Sequence, residues 1–240
     1  MKDTFKFMLL LSAILLTACN PKYYTPNTHN VPLLTEKGES NLTICGSANQ
    51  VEFQGAYGVS DKIAILANGG LFIPKDLENG DGGSGKFLEL GSGYFKELSH
   101  NFVFETYFLL GMGSLENHLP STTTANPLTK GKIEANLFRL GLQPNLGYKT
   151  KYFSMALSSR LVHISYYKIN GDLIYEQVNQ SDYLNKHASN FLIEPALTIR
   201  GGVEKVKLQI QIGYSFNVSN PDFRQDKSFA TVGLNFNFRD

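Results

Sequence analysis

Residues 206–216 read Val-Lys-Leu-Gln-Ile-Gln-Ile-Gly-Tyr-Ser-Phe, and this stretch decides the fold. Apolar side chains occupy every second position, and Lys, Gln, Gly and Ser lie between them. Successive side chains of a β-strand point to opposite faces, so the pattern predicts a strand with one apolar and one polar face. The last segment repeats it, because Val232, Leu234, Phe236 and Phe238 alternate with Thr, Gly and Asn. The sequence therefore predicts an all-β protein.

Composition narrows the class further. The chain has 240 residues, with 22 Lys and Arg against 21 Asp and Glu, so its charge does not indicate a nucleic-acid partner. Its 12 Tyr, 17 Phe and 22 Gly are typical of strands and tight turns. After residue 18, the sequence has no apolar run near the roughly 20 residues that a membrane helix needs. Any further membrane contact would be made by strands or by lipid.

Ten segments show strand character, and their connections carry a second signal. The predicted strands are residues 41–48, 50–59, 62–73, 86–98, 102–114, 132–149, 153–168, 191–200, 206–216 and 229–238. After the first connection, short and long connections alternate, as in outer-membrane barrels with tight periplasmic turns and longer external loops. The first connection, near Asn49, is short although it lies on the long-loop side. A barrel of eight strands preceded by a loosely attached hairpin is therefore the alternative to ten strands. An even strand count predicts both termini in the periplasm.

The polar face of these strands indicates which side meets lipid. It is rich in Gly, Ser, Thr, Gln and Asn, which suit a confined lumen, whereas the opposite face is continuously apolar. The expected architecture is a closed, antiparallel, up-and-down transmembrane β-barrel. Pro144 and Pro195 interrupt two strands and predict a bulge or a locally unpaired position. Aromatic residues near the strand ends predict interfacial girdles: Tyr94, Tyr148, Phe153, Tyr166, Tyr167, Tyr214 and Phe238.

The first 39 residues read as a leader and a spacer. Lys2 and Lys6 precede an apolar core, and residues 16–19 are Leu-Thr-Ala-Cys, which resembles the lipobox of bacterial lipoproteins. The resemblance implies a signal peptide at residues 1–18 and a mature Cys19 that carries diacylglycerol and an N-acyl chain such as palmitate. Residues 19–39 contain three prolines and predict a lipidated, extended spacer with a periplasm-facing anchor. Residues 40–240 form the predicted barrel domain. Cys45 then stands alone, so no disulfide framework is expected.

The whole pattern resembles small bacterial outer-membrane β-barrel proteins of the porin-like kind, in a lipoprotein version. The apolar series that ends at Phe238 is similar to the terminal signal that the barrel-assembly machinery reads, although Arg239 and Asp240 follow it. The resemblance implies that machinery and outer-membrane lipids as partners. Oligomeric state is left open.

Seven charged residues fall on the predicted lumen face: Glu52, Glu89, Glu105, Arg139, Arg160, Glu194 and Arg200. Buried charges must be paired or hydrated, so these residues predict a Glu–Arg network that crosses and stiffens a narrow barrel. A charged constriction that selects solutes is the functional alternative. Ten strands leave an interior close to filled by side chains, so a large general pore is not expected.

An enzymatic alternative rests on His163 and Ser165, which share one strand face near its external end. A His can activate a Ser, and Glu176 could orient the His. The arrangement resembles the His-x-Ser pattern of outer-membrane lipid A deacylases, but Tyr166 stands where that family has Asn. The spacing of Cys and His predicts neither a metal site nor a cofactor. The leading hypothesis is a non-enzymatic outer-membrane barrel with a role in envelope structure, loop-mediated binding or narrow solute passage. A lipid-tethered soluble barrel that binds an apolar ligand is the third.

Overall fold

The computed structural model describes residues 21–73, 82–99, 101–119 and 131–239. The predicted signal peptide and Cys19 lie outside these residues. The elements are β1 (Ser40–Gly46), β2 (Gln50–Gly58), β3 (Ile63–Phe72), β4 (Gly82–Ser99), β5 (Phe102–His118), β6 (Lys132–Lys149), β7 (Phe153–Gly171), β8 (Ile174–Tyr175), β9 (Val178–Asn179), α1 (Gln180–Lys186), β10 (Ser189–Gly202), β11 (Val206–Tyr214), β12 (Phe216–Asn217) and β13 (Ser228–Phe238).

The sheet closes into a barrel of ten antiparallel strands. Neighbours in the chain pair from β1 to β7, β7 pairs with β10, and β10 pairs with both β11 and its continuation β12. β11 pairs with β13, and β13 pairs with β1, which removes the open edge. The hairpin of β1 and β2 is therefore part of the wall, and the eight-strand alternative is wrong.

The outside of the wall is apolar and the inside is polar. Leu208 and Ile212 are each 52% exposed, whereas Gln209 and Gln211 between them are 0% exposed. The same alternation holds around the barrel, so a continuous band of Leu, Ile, Val, Met and Phe covers its exterior. Exposed apolar surface of this extent is stable in lipid and not in water, which makes the fold a transmembrane barrel. The helical structure in the described residues does not reach the length and hydrophobicity of a membrane-crossing helix.

Both prolines in the wall lie at interruptions of the strand ladder. Between β6 and β7 the pairing stops after Leu142 and resumes at Asn145, with Pro144 in the gap and no change of register. On β10, the pairing with β11 stops at Ala196 and the pairing with β12 resumes at Ile193, so Pro195 lies in that gap, opposite Tyr214 in the unchanged register. Because proline has no amide hydrogen to donate, each leaves an unpaired position rather than a bulge.

The two mouths of the barrel differ in their connections. Short turns close one end, where β2 meets β3, β4 meets β5, β6 meets β7 and β10 meets β11. We call this end the short-turn mouth. The other end, the long-loop mouth, carries the longer connections, including β8, β9 and α1 between β7 and β10. Several wall strands extend further toward the long-loop mouth than the sequence predicts, since β5 ends at His118 and β7 at Gly171.

Candidate functional site

The lumen is occupied by the chain itself. Residues 21–39, which we call the inner segment, run through the barrel from the long-loop mouth to the start of β1 at the short-turn mouth. Val31 and Leu34 are 0% exposed, and Tyr23 and Leu33 are 1% exposed. The sequence predicts an extended spacer ahead of the barrel at this stretch, whereas the structure encloses it within the wall.

At the long-loop mouth, the inner segment is bound by backbone and side-chain contacts. The Tyr23 amide donates to the Arg224 carbonyl at 2.9 Å, and Tyr24 forms a parallel bridge with Gln225. The Tyr23 hydroxyl donates to Gln180 of α1, also at 2.9 Å. The aromatic ring of Tyr23 packs against those of Tyr183 and Phe223. The start of the segment is therefore fixed to the connections that follow β7 and β12.

In the middle of the lumen, charged wall residues bind Asn27 and Thr28. Arg160 donates to the Asn27 carbonyl at 3.0 Å, and Arg139 donates to the Asn27 side-chain oxygen at 2.7 Å. The Glu52 carboxylate accepts from the Thr28 amide at 3.1 Å and from its hydroxyl at 3.0 Å. Because these groups are buried, the contacts replace the hydration that the backbone and the charges would otherwise need.

Amide side chains of the wall form hydrogen bonds with the next two residues, His29 and Asn30. Gln211 accepts from the His29 amide at 2.6 Å and donates to the His29 carbonyl at 3.0 Å, as a neighbouring strand would. Gln143 donates to the Asn30 carbonyl at 2.8 Å, and the Asn30 side chain donates to Asn68 at 2.8 Å. The glutamines and asparagines of the lumen face thus form a socket that is specific to the polar groups of the segment.

Toward the short-turn mouth, the inner segment is held mainly by apolar packing. Val31 and Leu33 pack with Val103 and Ala156 on the wall. Leu33 has a left-handed φ of 54°, which turns the chain, and a side chain added at Gly147 would collide with it. The second cluster comprises Leu34, Ala56, Ala64, Leu66, Phe95, Tyr107 and Leu109. The part of the lumen nearest the short-turn mouth is therefore a small hydrophobic core between the inner segment and the wall.

The segment ends at an ion pair between Glu39 and Lys149. Lys149 also donates to the Leu33 carbonyl at 2.7 Å, and the Thr35 amide donates to Glu39 at 2.8 Å. Burial opposes ionisation of Glu39, but the Lys149 ammonium and the Thr35 amide outweigh it and hold the pKa of this carboxyl below its ordinary value. The charged form of Glu39 is thus part of the closure at this mouth.

All seven predicted lumen charges lie inside the barrel, and each is 4% exposed or less. Arg139 contacts Glu89 at 2.7 Å, and Arg160 contacts Glu194, its partner across the strands, at 2.9 Å. Glu105 accepts from the Leu34 amide at 2.9 Å, and Arg200 donates to a glutamine of β11 at 2.7 Å. The network joins strand to strand, and most of it also holds the inner segment.

The structure does not bring His163, Ser165 and Glu176 together. His163 and Ser165 lie on the outer face of β7, but the hydrogen bond of His163 goes to Ser189 of β10 at 3.0 Å. Glu176 lies in the excursion beyond β7 and pairs with Arg224 at 3.1 Å. The orienting carboxylate of the enzymatic alternative is therefore engaged elsewhere.

The described chain starts and ends at opposite mouths. Lys22 lies at the long-loop mouth, where Asn117 donates to its carbonyl at 2.8 Å, whereas Arg239 lies at the short-turn mouth beside Glu36. The predicted periplasmic termini lie outside the described residues, whereas the two ends of the described chain lie on opposite sides of the barrel. An even strand count places the start of β1 and the end of β13 at the same mouth. The inner segment precedes β1 and extends from that mouth to the opposite one.

Sequence reasoning missed the residues that meet the inner segment, notably Gln143, Gln211 and Asn68. It also assigned Tyr166 to an aromatic girdle, whereas Tyr166 points inward and donates to the Tyr23 carbonyl at 2.8 Å. One signal was present. Residues 23–34 contain no Lys, Arg, Asp or Glu, which is unusual for a spacer in water and typical of a segment buried among polar side chains.

The fold and the lumen define a closed transmembrane barrel with a self-filled interior. No family model matches the chain, and no curated protein matches it. Among solved structures, the chain is similar to one described as a KdgM porin, with 9% identity and a TM-score of 0.39, over 84% of this chain and 99% of that chain. This similarity is too low to transfer any property of the porin. Within the described residues, no group of three or more His, Cys, Asp or Glu could hold a metal ion.

Proposed function

We propose that the protein is a non-enzymatic outer-membrane barrel lipoprotein whose inner segment closes the lumen. It has a structural role in the cell envelope and exposes its long loops for binding, and solutes do not pass through its lumen. The single observation that carries this proposal is the filled lumen, in which Arg139 and Arg160 hold Asn27 at mid-height. Outer-membrane lipids and the barrel-assembly machinery are its proposed partners, and acyl chains on Cys19 are its proposed anchor.

The chemistry of the lumen supports closure over passage. A ten-strand barrel has little room beyond its own side chains, and here that room contains an extended chain. A solute would have to displace the segment and leave buried donors and acceptors unpaired, each at a cost of about 1–3 kcal/mol. The charged residues that might have lined a selective constriction instead bind the segment, so the geometry favours a structural role for them.

The long-loop face supports a display role. Asn179 caps the start of α1, since its side chain accepts from the Ser181 amide at 2.8 Å, and Leu184 of α1 packs into the hydrophobic cluster at this mouth. Arg224 lies over the ring of Tyr175 at 4.6 Å and pairs with Glu176. These contacts hold the excursion in a defined shape, as a surface that presents itself to other molecules requires.

Gel mobility and planar-bilayer conductance test the proposal. Purified protein should migrate differently before and after boiling, because a closed barrel resists detergent until heated, and it should give no steady conductance. A triple variant with Asn27→Ala, Thr28→Ala and Asn30→Ala should show openings, because it loses side-chain contacts at mid-lumen. Alanine at Asp182, Asn185 and Lys186, three exposed residues of α1, is the matched control and should stay closed. Steady ohmic conductance of the unaltered protein would refute closure.

A further inference from the structure

We propose that the lipid on Cys19 enters the membrane on the side of the long loops, so that the protein is a surface-facing lipoprotein threaded through its own barrel. This inference rests on the proposed function, since it takes the acyl anchor as given. It concerns the direction in which the chain crosses the membrane, which the lipobox itself does not specify.

The first step is the direction of the inner segment. Its start is bound at the long-loop mouth, where the Asp226 amide donates to the Tyr24 carbonyl at 2.9 Å and Thr25 donates to the Asp226 side chain at 2.8 Å. Its end is bound at the short-turn mouth, where the Gly38 amide donates to the Gly58 carbonyl at 2.9 Å. The segment therefore runs from the long loops toward the short turns.

The second step is that this path is fixed residue by residue. Polar groups of the segment meet different partners at successive heights: Tyr24 donates to Glu194 at 2.8 Å, and the His29 ring contacts Ser158 at 2.8 Å. Below them, Leu33 fills the space left by Gly147. A reversed or shifted segment would leave these buried wall groups unpaired, so the observed direction is the one that the socket selects.

The third step is the reach of the chain before the segment. Lys22 is exposed at the long-loop mouth, and Cys19 precedes it by three residues. An extended residue spans at most about 3.6 Å, so the three-residue step between this position and Lys22 can bridge no more than roughly 11 Å. The hydrocarbon layer is about 30 Å thick, and the lumen is already occupied. The anchor therefore cannot reach the short-turn side of the membrane.

The last step is the orientation of the barrel. Outer-membrane barrels place short turns in the periplasm and longer loops outside. Phe238, at the end of β13, pairs with Ser40 at the short-turn mouth, as expected of a strand that ends in the periplasm. With that orientation, the lipid attached to Cys19 belongs to the outer leaflet, and the spacer that the sequence suggested is the part of the chain that crosses the membrane.

Thiol labelling in cells that express the full chain tests the inference. Single variants Lys22→Cys, Lys186→Cys and Lys205→Cys place a thiol beside the anchor, on α1 and in a short turn, and all three positions are exposed. A membrane-impermeant maleimide is applied to intact and to permeabilised cells. The parent protein is the background control, because Cys45 is 4% exposed. Incorporation of labelled palmitate, compared with that of Cys19→Ser, reports the anchor separately.

We expect Lys22→Cys and Lys186→Cys to react in intact cells to within about twofold of each other, and Lys205→Cys to react only after permeabilisation. Palmitate incorporation should be lost in Cys19→Ser. Reaction of Lys22→Cys only after permeabilisation, together with Lys205→Cys, would overturn the surface anchor even if the barrel stays closed to ions. Surface reaction of Lys22→Cys without palmitate incorporation would overturn the inference through its premise, since the proposed lipid would then be missing.

Discussion

The upper and lower halves of the inner segment are held in different ways. In the upper half, after the aromatic contacts of Tyr23, residues 27–30 form hydrogen bonds with arginine, glutamate, glutamine and asparagine side chains of the wall, whereas residues 31–34 in the lower half pack into apolar clusters. Hydrogen bonds contribute about 1 kcal/mol each in net terms but require matched partners, while a buried Leu contributes about 1.5–3 kcal/mol with little directional demand. The upper half thus sets the register of the segment, and the lower half supplies much of its stability.

The largest effect is expected from breaking a buried ion pair in the upper half. Arg160→Ala removes the partner of Glu194 and a donor to Asn27, leaving a buried carboxylate without its main counter-charge. We expect the free energy of unfolding to fall by about 3–5 kcal/mol. Urea titration of the protein in detergent, followed by gel mobility, measures it.

The double variant Arg160→Met with Glu194→Leu is the control for this prediction. It removes both charges and should recover much of the loss, because a buried pair can often be replaced by apolar residues of similar volume. If the single variant lost less than about 1 kcal/mol, the network would not hold the upper half.

The lower half is tested by Leu34→Ala. Leu34 is fully buried in its cluster, so truncation leaves a cavity and should cost about 2–5 kcal/mol. The same urea titration applies, and the exposed Val218, replaced by Ala, should change stability by less than about 0.5 kcal/mol. Equal effects of the two substitutions would mean that the lower half of the segment is not packed against the wall.

A smaller effect is expected from adding volume where the segment touches the wall. In Gly147→Ala the new methyl group meets the Leu33 side chain and Ala156, so we expect a loss of about 1–3 kcal/mol and increased ion leakage in bilayers. Gly201→Ala is the matched control, because a methyl group there meets nothing within 4 Å. If both variants leaked, or neither did, the leakage would not depend on the contact between residue 147 and Leu33.

The smallest effect is expected from pH at the short-turn mouth. The pKa of Glu39 is lowered in the fold, so its contribution to stability is complete above the ordinary glutamate pKa of about 4.3 and is lost as pH falls through the lower, folded value. Urea midpoints of the unaltered protein and of Glu39→Gln should therefore converge in acid. Glu36→Gln removes an exposed carboxyl nearby and should keep the pH dependence of the parent.

Sequence alone predicted the wall well and the lumen's contents poorly, for a physical reason. A wall strand has one lipid face and one lumen face, so residues such as Leu208 and Gln209 record its position with a period of two. The inner segment is surrounded on every side, so residues 23–34 carry no periodicity to read. Its partners are not local either: Gln211 and His29 are 182 residues apart.

The charged lumen residues illustrate the same limit. Their inward direction follows from strand alternation, and the cross-strand match of Arg160 with Glu194 follows from counting along neighbouring strands. That Arg160 also binds the Asn27 carbonyl could not be read from the pattern, because it depends on a chain that enters the barrel along its axis. Strand alternation in the sequence predicts the face that a side chain occupies, but it does not predict which groups the side chain contacts on that face.

The pairing of β1 with β13 sets a condition on how this protein is made. Seven residue pairs form that seam, and β1 begins directly after the inner segment. If the amino-terminal end carries acyl groups, as we propose, it is too bulky to pass through the lumen once the ring of strands has closed. We therefore expect the inner segment to be placed against the unfinished sheet first, and β1 and β13 to pair around it as the last step of assembly.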